Sequence, residues 1–524
     1  MSQEQKPQSD SEQREYAVDD PDEIHAVEET IGTIIVSEKE TDPRRMLRPV
    51  PSLDLNDPLN WPLWQKYMTY ITICFYTFLS RVNASNFSVA VTPLDNYFHT
   101  SNARTSYLIC FNTLMLGVAT LFWIPLMRKA GKRPGYLMAM LLLMAFNVWS
   151  YKAKSFNSLV AARILSGFAA AAGDAPTPSA AADLFFVHER GFVMMIFQIA
   201  LGSGFFIGPL INAYLVTDTG SWQWNCLWIG IATGANFVVA LFTVHETVYH
   251  NREINAPVET FDPKRSFFSN MSLTRGYSKQ ASFFKSLYDI FSVIVYPPVI
   301  WGGLTGVFVG WNIVVQLESS VLFVAPPYRW MTSSLGNLAL ASLIGALIAV
   351  FIGGKMIDII ANRQTKRMGG RREPEYRLPA LLIPGVLGPM GILTFGLCAS
   401  YKTKWIGPAF GYGMQGFALS VASNILVTYI IDSYHALAGE VIVCFFVIRA
   451  IIACLLSLFP FDWIKAAGVA NAFGQVVAIE YFLLLFAIGF YFKGKRIRRW
   501  TATYGPLKKQ SEAILAARTE KGGV

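Results

Sequence analysis

The sequence predicts an all-α membrane protein with twelve transmembrane helices in two six-helix, pseudo-symmetric halves. Three observations lead there. Cut at its charged residues, the chain leaves about twelve apolar stretches of the roughly 20 residues that a bilayer crossing needs. Lys and Arg crowd into every second gap, which demands an even number of crossings. The longest connection, 245–292, follows the sixth stretch and divides the chain into two similar parts.

Composition agrees. Of 524 residues, 53% are hydrophobic and 15% charged, against about 25% charged in a soluble domain. The net charge of +9 sits in short basic patches beside apolar runs. That is the pattern of cytoplasmic flanks on anionic lipid, not of a nucleic-acid surface. All six cysteines (74, 110, 226, 398, 444 and 454) lie inside apolar runs without a CxxC pair, and read as small buried hydrophobes. His245 and His250 flank an acid, but five positions apart they do not share a helix face. No metal site and no cofactor is implied.

Residues 1–60 are acidic, polar and poor in aromatics, and hold no signal-peptide core. They read as a disordered cytoplasmic tail. The N-terminal half, 61–244, has spans at 66–92, 105–126, 135–152, 158–186, 191–215 and 223–244. The cytoplasmic central loop, 245–292, follows. The C-terminal half, 293–492, has spans at 293–318, 335–357, 378–399, 406–431, 438–460 and 472–492, and a cytoplasmic tail, 493–524, ends the chain. Basic residues gather after spans two, four, six, eight and twelve, which puts both termini in the cytoplasm. The expected setting is the plasma membrane, as a monomer in lipid.

Several phrases then resemble a known group. IPLMRKAGKRP over 124–134 resembles the GxxxDRxGRR loop of the major facilitator superfamily, and GKMID over 354–358, followed by Arg363, repeats it in the second half. DPLNWP at 57–62, FFVHERG at 185–191 and EPEYRL at 373–378 resemble its fungal drug:proton antiporter-like branch. The resemblance covers residues 57 to about 495. It implies that Gly131, Lys132 and Arg133, with Gly354, Asp358 and Arg363, bias the inward and outward states through charge contacts between the halves. Two positions depart from the pattern: Arg128 stands where the family has Asp, and Ile124 where it has Gly. Arg128→Asp is therefore expected to be tolerated or to speed cycling. Gly204, Gly208 and Pro209 in span five resemble the family's antiporter motif, with Asn212-Ala213 in place of its final glycines. Small residues there let helices approach closely and Pro bends the helix.

Ionisable groups inside spans are costly and usually functional. Span four holds Arg163 and Asp174, eleven positions apart. On one continuous helix they are about three turns, or roughly 16 Å, from each other, too far to pair. Arg163 matches a buried arginine linked in the family to proton coupling. Asp174, among small residues, is the first choice for the proton carrier. Arg81, Asn83 and Asn86 of span one, Gln198, Asn312 and Gln316, Gln415, Asn424 and Arg449 complete the polar residues expected to face a charge-lined cleft between the halves. Asp174→Asn is expected to abolish pH-gradient-driven transport while leaving expression intact.

The resemblance implies a proton-coupled secondary transporter working by alternating access, with protons and a small organic compound as partners. Export of a drug, toxin or secondary metabolite leads. Uptake of a cation or polyamine, and a non-transporting sensor of the same fold, are the alternatives. No GxxxxGK[ST] loop for a primary pump and no clustered His or paired acids for an intramembrane enzyme occur.

Overall fold

The computed structural model describes residues 34–35, 54, 56–249, 272, 276–278, 282–326, 328–368, 371–434, 437–502 and 507–508. Most of the 1–60 tail, much of the 245–292 loop and most of the chain beyond 502 therefore lie outside the described residues, as do the surroundings of Gly354 and the side chain of Asp358.

Among the described residues, twelve long helices follow one another. The first half has α1 (Leu63–Ala84), α2 (Asn102–Ala130), α3 (Lys132–Lys152), α4 (Phe156–Leu184), α5 (Val187–Thr219) and α6 (Gln223–Thr243). The second half has α7 (Pro297–Leu322), α8 (Thr332–Arg367), α9 (Pro374–Ser400), α10 (Ile406–Ser433), α11 (Ala438–Leu458) and α12 (Val469–Ala502). Eleven of these, all but α1, are apolar and long enough to cross a membrane. α1 has 22 residues, enough to span, but Gln65, Lys66, Arg81 and Asn83 lower its hydropathy.

Neighbour relations of the first half recur six helices later. α2 and α3 both pack on α4, and α3 on α6; α8 and α9 both pack on α10, and α9 on α12. The halves meet along two seams related in the same way, α2 on α11 and α5 on α8. Glycine makes both seams close. A Cβ on Gly117 of α2 would overlap that of Ala450 on α11, and one on Gly336 of α8 would lie 2.6 Å from the Cβ of Ala213 on α5.

The structure departs from the sequence expectation at several boundaries. α8 and α12 run past 357 and 492, to Arg367 and Ala502, because their basic ends stay helical. In α12 that extension is anchored: Arg498 donates to Glu373 and Glu375 at 2.7 Å each, and Lys495 to Glu373 at 2.9 Å. The end of the expected tail is folded, with Asp57 capping a short 3-10 turn, Pro58–Asn60. The central loop ends in an amphipathic helix, Phe283–Val293, with Phe284, Tyr288 and Phe291 exposed. Cys110 of α2 and Cys454 of α11 are not two separate buried hydrophobes: they form a disulfide across the seam, with Cα atoms 4.6 Å apart.

The cleft expected between the halves is closed in this structure. On the face with the basic loops, Arg128 of α2 meets Glu440 of α11. On the opposite face, Thr92 donates to the Ser320 carbonyl at 3.3 Å and Tyr214 to Asn337 at 3.0 Å. A cavity of about 170 Å³ remains near that face, lined by Thr92, Asn96, Ser320 and Trp330 among others.

Candidate functional site

The centre of the molecule is shaped by a break in α4. Its helical hydrogen bonding lapses into a 3-10 turn at Ala171–Gly173 and resumes at Pro176. Where the regular helical ladder lapses, carbonyls beside the break are open to other donors. Side chains of α1 take over. Tyr76, Ser80 and Thr77 donate to the carbonyls of Ala169, Ala170 and Gly173, each at 2.7 Å. That zipper fixes the register of α1 against α4 and sets Arg81, the next residue on α1, against Asp174.

Arg81 Nη2 lies 2.5 Å from Asp174 Oδ2, with both side chains buried. Among the described residues, Asp174 Oδ1 and Arg81 Nε have no hydrogen-bond partner. Arg449, on α11 of the other half, is near enough to interact electrostatically with both. Its guanidinium lies 5.8 Å from the Phe446 ring and 6.0 Å from that of Phe445. One carboxylate and two guanidinium groups, drawn from α1, α4 and α11, thus act on one another in the interior.

Arg163 is not part of this cluster. Because α4 is broken, it and Asp174 are not on one continuous helix, and each has its own partner. Arg163 donates to the Asn83 side chain at 2.8 Å, to the Asn83 carbonyl at 2.6 Å and to the Leu108 carbonyl at 3.3 Å. It also lies 5.1 Å from the Phe87 ring. Fully buried and held this way, it staples α1, α2 and α4 together.

The remaining candidates divide. Asn86 turns toward α5 and α6: its carbonyl accepts from Asn212 at 3.1 Å, and its amide meets Cys226. In α7, Gln316 donates to Asn312 at 3.2 Å, while the Asn312 amide nitrogen is unsatisfied. Gln415 is buried with neither amide atom partnered among the described residues. Gln198 and Asn424 are half-buried.

The conformational residues are mostly engaged. Gly131 adopts φ 102°, a conformation glycine tolerates, and a Cβ there would strike Glu246. Glu246, just beyond α6, accepts the backbone N–H groups of Lys132 at 3.0 Å and Arg133 at 3.2 Å, a carboxylate on a helix N-terminus. Burial raises its pKa, an effect those backbone hydrogen bonds oppose. Lys132 also binds Asp183 of α4 at 2.5 Å, and Arg133 binds the Leu241 carbonyl at 2.9 Å. The second half repeats the arrangement, with Arg377 2.8 Å from Asp432 of α10. Arg363 is exposed. In α5, a Cβ on Gly204 would lie 2.5 Å from the Phe78 carbonyl and one on Gly208 2.7 Å from Ser85 Oγ, so the glycines let α5 close on α1. Pro209 lies within α5, one residue further on.

Four acids that the structure makes prominent are not among the site candidates named from sequence: Glu246, Glu373, Glu440 and Glu480. The last was legible, since it is a lone carboxylate in an apolar span. The others stand at span ends, where an acid is unremarkable until its partner is known.

Comparison with known proteins agrees with this architecture. The family model for the Major Facilitator Superfamily matches residues 73–458. Protein HOL1 of Saccharomyces cerevisiae is 24% identical, over 88% of this chain and 92% of its own. The efflux pump radE of Floropilus chiversii is 23% identical, over 90% and 88%, and the MFS-type transporter penM of Penicillium rubens 24%, over 85% and 88%. Among solved structures, the xylose transporter XylE from E. coli, in a partially occluded inward-open conformation, superposes with a TM-score of 0.58 at 14% identity, covering 81% of this chain and 99% of that one. Members of this family are transporters and not enzymes. The chain, an integral multi-pass membrane protein, belongs to the Major Facilitator Superfamily.

Proposed function

We propose that this protein is a proton-coupled secondary transporter that exports a small organic compound by alternating access. It would act in the plasma membrane with both termini in the cytoplasm. The buried Arg81–Asp174 pair, with Arg449 contributed by the other half, is the observation that supports this reading most. Protonation of Asp174 removes the only carboxylate of that cluster and releases Arg81, so the balance between the two halves changes with proton loading. The low-identity efflux-pump relative supports the direction of transport. Two guanidinium groups to one carboxylate favour a neutral or acidic compound.

The test is flux in reconstituted vesicles under an imposed pH gradient, with a panel of acidic, neutral and cationic organic compounds. Movement that follows the gradient and is lost in Asp174→Asn supports the reading. Wild-type flux indifferent to the gradient removes proton coupling, and binding without net movement identifies a sensor.

One observation favours the second reading, uptake of a cation. Glu318 of α7 is buried with Oε1 unpartnered among the described residues, and it lies seven positions from Trp311, on the same helix face. A carboxylate with an aromatic face suits an organic cation. Preference for cations in the same panel, lost in Glu318→Gln, decides for it.

A further inference from the structure

The second half contains a buried acid that the central cluster does not use. Glu480 of α12 is 1% exposed, and neither carboxylate oxygen has a hydrogen-bond partner among the described residues. Its setting is defined by how α9 and α12 pack. A Cβ on Gly388 would lie 3.0 Å from Glu480 Oε1, one on Gly385 would lie 3.3 Å from Leu484, and one on Gly396 would strike the Phe473 ring. The two helices therefore run antiparallel in a single register, with glycine opposite the acid. Phe308 of α7 and Ala418 of α10 come within 2.9 and 3.3 Å of the same Gly388 position. Glu480 thus points into the interior of the half and not toward lipid.

The charged groups on the surrounding helices are occupied or distant. α9 has none from Leu382 to Ser400. On α10, Asp432 pairs with Arg377. On α12, Lys493, Lys495 and Arg498 are thirteen or more residues along, about 20 Å or further. Glu318 is ten residues from Phe308 on α7, about 15 Å. Asp462 and Lys465 belong to the short helix Pro460–Ala467, which packs on the start of α12. Arg449 lines a small cavity together with Phe308.

We propose that Glu480 is a second proton site of the transport cycle, seated in the C-terminal half and separated from the Arg81–Asp174–Arg449 centre by the Phe308 side chain. The proposal rests on the reading that transport is proton-coupled. A carboxylate buried among Gly388, Phe308 and Ala418 without a counter-ion beside it is costly, so in this closed state the group holds its proton. A metal cation needs several oxygen ligands, and Gly388, Phe308 and Ala418 offer no side-chain oxygen. On the same seam Pro389 has no N–H, so the Gly385 carbonyl of α9 is without its helical donor. Loading forms one O–H bond on the carboxylate. Unloading breaks it and passes the proton to water when movement of Phe308 or of the α9–α12 seam admits solvent.

Infrared difference spectroscopy on the purified full chain in lipid nanodiscs tests this with protons alone. Wild type, compared between acidic and alkaline buffer, should show the C=O stretch of protonated carboxyl groups, with one component lost in Glu480→Gln and retained in Asp174→Asn. Glu480→Asp should keep a titrating band at a shifted midpoint, which guards against loss through misfolding. A full band in Glu480→Gln overturns the proposal while leaving coupling through Asp174 intact. A Glu480 band that does not change with pH marks a permanently protonated structural acid and also overturns it. Wild-type flux unaffected by a pH gradient, read separately in vesicles, would sink the coupling reading and Glu480's role with it.

Discussion

Arg128 Nη1 lies 2.5 Å from Glu440 Oε1, joining the last turn of α2 to the first turn of α11 across the two halves. Each charge suits its helix end, a cation at the carbonyl terminus and an anion at the N–H terminus. The position where the wider family has an acid is therefore not a degraded contact here. It is a clamp with its polarity chosen by the partner on α11, and Arg128→Asp would set two acids against each other.

Arg128→Glu is accordingly expected to slow transport several-fold by weakening closure of the basic face, and Arg128→Glu with Glu440→Arg to recover most of it. The pair is partly exposed, so a double-mutant cycle should give a coupling of about 1 kcal/mol or less. Equal rates in all four proteins would show that the contact has no part in cycling.

Asp174→Asn should abolish gradient-driven transport, but expression should suffer too, because Arg81 is left as a buried charge without its counter-ion. Breaking such a pair from one side costs about 3–5 kcal/mol. Thermal melting should rank Asp174→Asn and Arg81→Leu below the double variant Arg81→Leu with Asp174→Leu. A double variant less stable than either single one contradicts this.

Arg163→Lys tests the staple. A single ammonium cannot reproduce the forked bonds to Asn83 and the bond to the Leu108 carbonyl. The expected result is a loss of about 2–3 kcal/mol in stability with the number of protons moved per turnover unchanged in the surviving protein. Altered stoichiometry at full stability would return Arg163 to the coupling machinery.

Glu373 gives a pH signature outside the spans. Burial raises its pKa, but the hydrogen bonds and charges of Arg498 and Lys495 outweigh that and hold it below the ordinary carboxylate value. A depressed folded-state pKa contributes stability above the unfolded value of about 4.3 and loses it as pH falls through the folded one. Wild type should therefore lose melting temperature on acidification below that range. Glu373→Gln should start lower at neutral pH and fall less. Parallel curves would show that the group is not coupled to folding.

Gly117→Val should wedge α2 away from Ala450 of α11, with an overpacking cost of about 1–3 kcal/mol, and slow transport. Ala450→Gly in the same chain should restore both melting temperature and rate. Failure of that rescue would mean that the two helices do not meet there during the cycle.

Twelve helices in two halves followed from the sequence because membrane insertion is a local problem. Each apolar stretch must satisfy its own backbone by becoming helical, and each basic flank reports its side independently of distant contacts. The costly residues Arg81, Arg163, Asp174 and Arg449 were legible for the same reason, since a charge in an apolar run stands out by itself. Their pairings were not. Which acid meets which base depends on the break in α4, on Tyr76, Thr77 and Ser80 setting the register of α1, and on glycines fixing how closely helices approach. Those relations join residues 93 positions apart in Arg81–Asp174 and 312 apart in Arg128–Glu440, and the packing of whole helices had to be in place before either pair could form.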